Sequence, residues 1–562
     1  MAHPYQGGGA LASLSAYVPD ALKNFLHNVF LGSSNSEVQK WRMRILGVGA
    51  ITVAGAASWV YVFYPLIQQI KLRGLPQPPT STWLNGDKKE LQKYVKAGEK
   101  REYFSRLRRT VGANCFIRLP LQFSWSSFST TSLGILFVTS DWPVVQELIK
   151  HSSSLVRNPE WVKAFEVIRH STIALESEQT ARFHRRILTT FMTHGAASAT
   201  VDPLRKVLTQ VHKDLVRLND RRAIDALQLS RLIMFNLWVN LLTGREDHFL
   251  LASSGILAAT PKTIEQGVLP YSTTDAIMKL TRFHKENYEL LFMPSSSDSS
   301  SSSLEAHRAL IDQYKAIVNA LPVLMTQLLD EGNSKALIPR ILAAEDSVTR
   351  RGLDAEEIRD NLALLLLAAE NTAIPITWAL YELAKSPELQ ERIFASVKLE
   401  DMNNFLSIIE AADQLVGRLG EVLNLFLETL RYYPVPVLSR TAAESIYIKS
   451  GDFTIPSGTV VLVDNYSLTR DRSVWGEDVD AFNPDRFIGR VWQHAPWIPF
   501  GFGSRKCLGE RLAVTHAVFF LSFIVRHFIL ELDDNSMPPL PMECMFLTPD
   551  KPVMIHFTPR KE

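Results

Sequence analysis

One cysteine near the carboxyl end of the chain stands among residues suited to holding a metal. Cys507 lies in the segment Phe-Gly-Phe-Gly-Ser-Arg-Lys-Cys-Leu-Gly, residues 500–509, with glycine at positions 503 and 509. These glycines let the backbone turn tightly. An apolar-striped helix is predicted over 510–526, directly after Cys507, and its positive end favours a thiolate over a thiol. The pattern therefore indicates a thiolate that serves as a metal ligand.

The same segment resembles the FxxGxRxCxG signature of the cytochrome P450 (haem-thiolate monooxygenase) superfamily. In this composition a chance match to its five fixed residues is on the order of 10⁻⁵ per chain. The resemblance implies haem b (iron protoporphyrin IX), with Cys507 as an iron ligand that favours O–O bond cleavage. It also implies that the donor fork of Arg505 binds a haem propionate. Ser504 stands where the family often has proline. The resemblance implies three further cofactor-binding residues: Phe500, Gly503 and Gly509. The two glycines are small enough to let the backbone approach the porphyrin closely.

Two further segments match the family in the expected order. Glu-Thr-Leu-Arg at 428–431 fits ExxR, and Phe-Asn-Pro-Asp-Arg-Phe at 482–487 resembles FxPxRF. A Glu and an Arg three residues apart are by themselves an ordinary helix-surface ion pair. The resemblance implies instead that Glu428, Arg431 and Arg486 form a buried charge network. Such a network has a structural role in folding and haem retention, since buried charges persist only when they are paired.

Two more arginines are candidates for binding the propionates. By resemblance Arg440 reaches a propionate, and residues 435–438 line the substrate pocket. On a predicted helix in the segment ARFHRRILTTFM, the family has Trp or His four residues before a propionate-binding Arg. Alignment gives that role to Arg185 and puts Ala181 where the aromatic residue would stand. Because the aromatic residue is missing, a solvated basic face is an equal alternative.

A long helix is predicted over 354–385. Asp354 caps it and Glu357 follows three residues later, which is a capping-box arrangement. Ser-Pro at 386–387 ends the helix. Pro375 predicts a functional bend, because proline lacks the N–H that would bond the carbonyl four residues back. By resemblance this is the family's central helix, which carries the motif [AG]GxE/DT[TS] over the haem.

The segment Leu-Ala-Ala-Glu-Asn-Thr at 367–372 fits that motif in two registers. One makes Thr372 the family threonine and Asn371 the acid. The other keeps Glu370 as the acid and replaces the threonine with Asn371, and the family's spacing back from Pro387 favours it. We predict that Glu370 feeds protons and that Asn371, which cannot itself lose a proton in this range, orients oxygen or water. The catalytic candidates are thus Glu370, Asn371 and Thr372.

Elements upstream and downstream of these motifs are predicted to anchor and position them. Residues 45–70 contain no charged side chain and are long enough for a transmembrane helix. They follow an N-terminal segment, 1–44, and precede a proline-rich hinge, 71–84. Residues 85–562 are predicted to form one haem domain, mainly α with small β-sheets, which is the cytochrome P450 fold by resemblance. A serine tract at 295–303 predicts a flexible surface loop.

Composition limits the classes of function. The 562 residues carry 60 basic and 58 acidic side chains. This near balance gives no overall positive charge that would attract nucleic acid. There are 3 cysteines, too few for a disulfide framework or a four-cysteine zinc site. Cys115 and Cys544 have no assigned role.

The resemblance implies a monooxygenase that inserts one oxygen atom from O2 into an apolar small-molecule substrate. No G-x-G-x-x-G follows a predicted strand, so electrons are expected from a separate NADPH-cytochrome P450 reductase. Lys506, Arg505 and Arg511 offer a local basic patch for it. The anchor implies a single-pass protein of the endoplasmic reticulum membrane with a cytosolic catalytic domain. The domain resembles fungal members that serve secondary metabolism, for example terpenoid or polyketide biosynthesis. Two alternatives are a haem-thiolate isomerase or dehydratase that acts without reductase, and a non-catalytic haem sensor.

Overall fold

The structure is a computed structural model, and it divides into two compact units, Met1–Arg73 and Gly74–Glu562. It describes residues 58–79, 81–83, 86–96, 99–119, 134–218, 222–244, 335–398, 419–543 and 546–561, with the isolated positions 52, 55, 315, 318, 319 and 329. The serine tract at 295–303 and Cys544 lie outside these residues.

In the first unit, the described helix consists of a π-helical turn, Trp59–Phe63, followed by α1, Tyr64–Lys71. These residues form the carboxyl-terminal part of the span predicted over 45–70, most of which lies outside the described residues. Among the described residues, the helix long and apolar enough to cross a membrane is Ala355–Lys385, and 78% of its most apolar window is buried. That helix belongs to the core and is no candidate for the predicted span. The transmembrane helix at 45–70 stays a prediction, because most of it lies outside the described residues. The large apolar side chains exposed on the first unit are Trp59, Tyr61, Val62, Phe63, Leu66 and Ile70.

The second unit is mainly helical with small sheets, which confirms the predicted fold class. The helices among its described residues are α2 (Lys88–Lys96), α3 (Lys100–Thr110), α4 (Trp142–Lys150), α5 (Pro159–Ala164), α6 (Glu178–Thr189), α7 (His194–Ala199), α8 (Val201–Leu218), α9 (Ala226–Thr243), α10 (Leu337–Leu342), α11 (Ala355–Lys385), α12 (Pro387–Lys398), α13 (Gly420–Tyr432), α14 (Asn465–Leu468), α15 (Arg472–Trp475) and α16 (Glu510–His527).

The described residues of this unit also form four small sheets. The largest has the strand order β1-β2-β8-β5-β3, in which β2 and β8 are parallel and the other pairs are antiparallel. A second sheet has the order β4-β12-β9, and β6–β7 and β10–β11 are two-stranded. The strands are β1 (Asn114–Arg118), β2 (Ile135–Thr139), β3 (Leu155–Val156), β4 (Ile224–Asp225), β5 (Val437–Ala442), β6 (Ile446–Ile448), β7 (Phe453–Ile455), β8 (Val460–Asp464), β9 (Phe528–Leu532), β10 (Pro541–Glu543), β11 (Leu547–Pro549) and β12 (Met554–Pro559).

Helix α11 forms the centre of the core, and its predicted cap and end are confirmed, whereas the bend at Pro375 stays a prediction. The Asp354 carboxylate accepts a hydrogen bond from the Glu357 N–H at 2.9 Å, and the Glu357 carboxylate accepts one from the Asp354 N–H at 2.9 Å. The helix ends at Lys385, before Ser386, and continues unbroken through Pro375. Helix α9 packs along it and is buried almost all round, because its sequence is apolar on every face.

Helix α16 begins three residues after Cys507 and packs against α8, α11, α12 and α13. It contains a buried histidine, His516, whose Nε2 lies 2.7 Å from the Thr200 hydroxyl. The His516 side chain is only 1% exposed. Burial lowers the pKa of His516 to about 3, because the charged imidazolium would lose its hydration inside the core.

This buried histidine predicts a loss of stability in mild acid. The unfolded chain protonates His516 below about pH 6.5, whereas the folded chain does so only near a pKa of about 3. Stability is therefore lost as pH falls through this window, by about 1.4 kcal/mol between pH 7.5 and 5.5. We expect urea unfolding to show that the stability difference between wild type and His516→Gln changes by this amount. His494 is exposed, so His494→Gln should keep the wild-type dependence of the free energy of unfolding on pH. If His516→Gln also keeps it, the lowered pKa assigned to His516 is wrong.

Candidate active site

The Cys507 loop is built by backbone contacts. The Cys507 N–H donates to the Phe500 carbonyl at 2.9 Å. Gly503 has φ +66, and a Cβ there would collide with the Ser152 side chain, so glycine is required at this position. Gly509 has φ −87 and ψ 13, a conformation open to any residue. The positive φ that requires glycine is therefore present at Gly503, whereas Gly509 lies in a turn with an ordinary φ, and its close approach to the porphyrin stays a prediction.

The Cys507 side chain is accessible, yet protein surrounds it closely enough for burial to raise the pKa of its thiol. Glu510 raises this pKa further, whereas the Gly509 N–H, Arg185 and Lys506 lower it. The expected help from the start of α16 is present but is outweighed by desolvation. A thiolate here needs a cation at the sulfur, since coordination to a metal deprotonates a thiol outright.

Four arginines form a cluster, called here the arginine cluster, beside the cysteine loop: Arg157, Arg185, Arg440 and Arg505. Burial and the charges of Arg505 and Arg185 lower the pKa of Arg440 to about 10. Burial, with Arg440 and Arg505, also holds the pKa of Arg157 well below its usual value. The Arg157 Nε is buried without a hydrogen-bond partner among the described residues. Because buried like charges are costly without a counter-charge, the cluster is suited to an anionic ligand.

Arg157 was not among the sequence candidates, and it belongs to no local motif. The one signal in the sequence is a charged residue directly after a short apolar stretch, which became the strand β3. Its partners in the cluster come from β5, α6 and the cysteine loop, which are far away along the chain. Sequence spacing alone could not bring these residues together.

Arg505 is held by protein acceptors on all three of its nitrogens. Its Nε donates to the Glu178 carboxylate at 2.8 Å, Nη1 to the Thr172 carbonyl at 3.2 Å and Nη2 to the Leu175 carbonyl at 2.9 Å. The second Glu178 oxygen accepts a hydrogen bond from the Ser504 hydroxyl at 3.0 Å. In this arrangement Arg505 fixes the cysteine loop to the segment before α6. Direct binding of a propionate by Arg505 stays a prediction.

The structure brings Glu428, Arg431 and Arg486 together. The Arg431 Nε and Nη2 each lie 2.7 Å from the Glu428 carboxylate, and both side chains are fully buried. The Arg486 Nε lies 3.5 Å from the same carboxylate. Arg431 Nη1 also donates to the carbonyls of Thr469 and Val479 at 3.0 Å. These bonds tie α13 to the chain that leads toward the cysteine loop.

Glu370 has a partner that the sequence analysis did not name. The Arg231 Nε donates to the Glu370 carboxylate at 2.6 Å, and Arg231 Nη2 donates to the other carboxylate oxygen. The pair joins α9 to α11, and the Arg231 side chain is 23% exposed. Arg231 is the one charged residue on a helix that is otherwise uncharged and mostly apolar. Such a lone charge was the signal that a buried acid must lie opposite it.

The two residues after Glu370 have different surroundings. Asn371 is half-buried, and no hydrogen bond joins its side chain to another described residue. Thr372 is buried, and its hydroxyl donates to the Ala368 carbonyl at 3.2 Å. The half-buried positions of this part of α11 are Leu364, Ala368 and Asn371, which lie on one face at helical spacing. The structure thus places Asn371, rather than Thr372, on the accessible face.

Comparisons with known proteins show which family this chain is similar to. The family model described as Cytochrome P450 matches residues 76–557. A Caenorhabditis elegans cytochrome P450, CYP13A1, is 32% identical over 217 residues, 38% of this chain and 41% of that protein. The human mitochondrial 25-hydroxyvitamin D-1 alpha hydroxylase is 32% identical over 215 residues, again 38% and 41%. The self-sufficient cytochrome P450 monooxygenase CYP505E3 of Phanerodontia chrysosporium is 31% identical over 226 residues, 38% of this chain and 21% of that protein. The matched segments therefore span less than half of these relatives.

The buried network predicts a large effect of a single substitution. Replacing Arg431 with alanine leaves Glu428 buried, with Arg486 at 3.5 Å as its remaining cation. The free energy of unfolding should fall by about 3–5 kcal/mol, measured by urea unfolding of the purified chain. Arg472 pairs with two exposed carboxylates at 3.0 Å, and Arg472→Ala should lower the free energy of unfolding far less than Arg431→Ala does, because solvent screens exposed pairs. Equal losses in the two variants would contradict the buried role.

Proposed function

This chain belongs to the cytochrome P450 family, and we propose that it is a membrane-attached haem-thiolate monooxygenase that inserts one oxygen atom of O2 into an apolar small molecule. One observation carries the proposal. The Cys507 thiol is accessible, although protein surrounds it on most sides. It lies beside the arginine cluster, in which Glu178 is the one described carboxylate that acts on Arg157 and Arg440. A ligand with two carboxylates and a metal cation matches both features.

The residues of the site fit haem b, the cofactor that membership of the family implies. Cys507 would hold the iron, and the unpartnered Arg157 Nε together with Arg440 would bind the carboxylates. Arg185 donates to the Lys506 carbonyl at 2.8 Å and adds positive charge beside the sulfur. When bound through a thiolate, haem supplies the activation of O2 that oxygen insertion requires.

The protein groups on α11 manage protons and water. The Arg231–Glu370 pair extends from the core to a partly exposed guanidinium, so water that carries a proton can approach the Glu370 carboxylate beside it. Asn371 lies one residue further on, with its amide on the accessible face of the helix. The amide both donates and accepts, so it orients water or substrate without losing a proton itself. Glu370 supplies the proton and Asn371 positions its acceptor.

An apolar substrate is favoured by accessible apolar positions on α11 and around the start of β5. Leu364 and Ala368 share the accessible face of α11 with Asn371, and Val435, just before β5, and Leu438, within it, are half-buried. These side chains offer hydrophobic contact and no charge, which suits an apolar ligand. We extend the proposal to substrates of secondary metabolism such as terpenoids or polyketides.

Attachment to the endoplasmic reticulum membrane and a separate NADPH-dependent reductase complete the proposal. The apolar side chains exposed over residues 59–70 support insertion into a bilayer. Of the predicted basic patch, Lys506 and Arg511 are exposed, whereas Arg505 is buried against Glu178 and does not belong to the surface. The two exposed cations support docking of an acidic electron donor. Product formation that needs only NADPH and this chain would argue against the separate reductase. Turnover of a hydroperoxide without reductase would favour the isomerase or dehydratase, and haem binding without any turnover would favour a sensor.

The first test is spectroscopic. The reduced carbon-monoxide difference spectrum should show the Soret band typical of thiolate ligation. Cys507→Ala should lose this band because the sulfur ligand is gone. Cys115 is the other cysteine among the described residues and is buried in β1, so Cys115→Ala should keep the band. A wild-type protein without the band would refute the proposal.

A second test compares neighbouring positions on α11. Asn371→Ala should lower the product formed per NADPH consumed several-fold, because the group that orients water is lost. Thr372→Val removes a hydroxyl that is occupied by the Ala368 carbonyl, and it should leave this ratio within about twofold of wild type. If Thr372→Val lowers the ratio several-fold and Asn371→Ala leaves it unchanged, Thr372 corresponds to the family threonine. The register that makes Asn371 the acid would then be right.

A further inference from the structure

Glu178 stands among the arginines beside the cysteine loop. It is the first residue of α6, and its side chain is 19% exposed. One carboxylate oxygen accepts from the Arg505 Nε at 2.8 Å and the other accepts from the Ser504 hydroxyl at 3.0 Å. Both partners lie in the loop that carries Cys507. Glu178 therefore binds the loop through both of its oxygens.

Glu178 also acts electrostatically on the other arginines. Its charge raises the pKa of Arg157, Arg185 and Arg440, in opposition to burial and to their mutual repulsion. In the described part of the chain, it is the carboxylate that acts on all three. A fixed negative charge inside a cluster of buried cations sets the local potential, because screening by solvent is weak there.

Accordingly, we propose that Glu178 is a positioning residue that holds Arg505 and Ser504 in place and makes the haem harder to reduce. The inference rests on the proposed haem binding. Reduction adds an electron to the site, and a nearby negative charge disfavours it. The carboxylate thereby offsets the arginine cluster, which favours the added electron. Ser504, where the family often has proline, supplies the hydroxyl that anchors the second oxygen.

Spectroelectrochemical titration of the haem-loaded full-length protein tests this inference. Glu178→Gln keeps the size of the side chain and removes its charge. At a fixed applied potential, the ferrous-to-ferric ratio should rise roughly three- to tenfold, which corresponds to a rise in midpoint potential of about 30–60 mV for a one-electron couple. Glu178→Asp keeps the charge and should stay within about twofold of wild type. Glu176→Gln removes an exposed charge two residues away, and it should leave the ratio unchanged because solvent screens that position.

Each outcome decides the question. A ratio in Glu178→Gln equal to that in Glu176→Gln overturns the inference. If Glu178→Gln lost the thiolate-type band while Glu178→Asp kept it, the charge itself would be needed to assemble the site, which supports the inference. Loss of the band in both variants would show a dependence on shape and overturn it. A wild-type protein that lacks the band would instead refute haem-thiolate binding, so the two failures are distinguishable.

Discussion

The site depends on keeping several guanidinium groups buried beside one carboxylate. Each buried cation loses hydration, and each repels its neighbours, so the pKa of Arg440 falls to about 10. Carbonyl oxygens of the segment before α6 and the Glu178 carboxylate stabilise Arg505. Arg157 retains an unpartnered Nε within the described residues. A ligand that brings negative charge to this place stabilises the folded state as it binds, so loading and folding are coupled.

The core contains a second buried ion pair, between helices α9 and α11. Helices α9 and α11 pack along each other through apolar side chains, and the Arg231–Glu370 pair crosses this interface. A buried pair of this kind is weak evidence for stability, since desolvation offsets much of the attraction. Its value is geometric: it fixes the Glu370 carboxylate against Arg231 of α9, one residue before Asn371. The accessible face therefore presents an amide and apolar side chains, while the carboxylate stays one residue behind it.

Local signals in the sequence predicted a large part of this arrangement. The spacing of residues 500–509 identified Cys507, and the Asp354 capping box gave the start of α11. What the sequence could not supply were contacts between distant segments. Arg231 and Glu370 are separated by 139 positions, and Arg505 and Glu178 by 327. The signature named Gly503, but the collision that a Cβ there would make with Ser152, a residue of a distant segment, could not be read from the local pattern.

The anchoring of Arg505 has a consequence for how the protein matures in the cell. Its three nitrogens bond to protein oxygens, so the cysteine loop takes its shape from the polypeptide itself. Newly synthesised chains can therefore prepare the docking place for the prosthetic group before that group arrives. The haem would then enter a site that is already folded but still holds unbalanced positive charge in the arginine cluster. When haem is scarce, the folded chain without haem would accumulate and be exposed to the proteases of the cell.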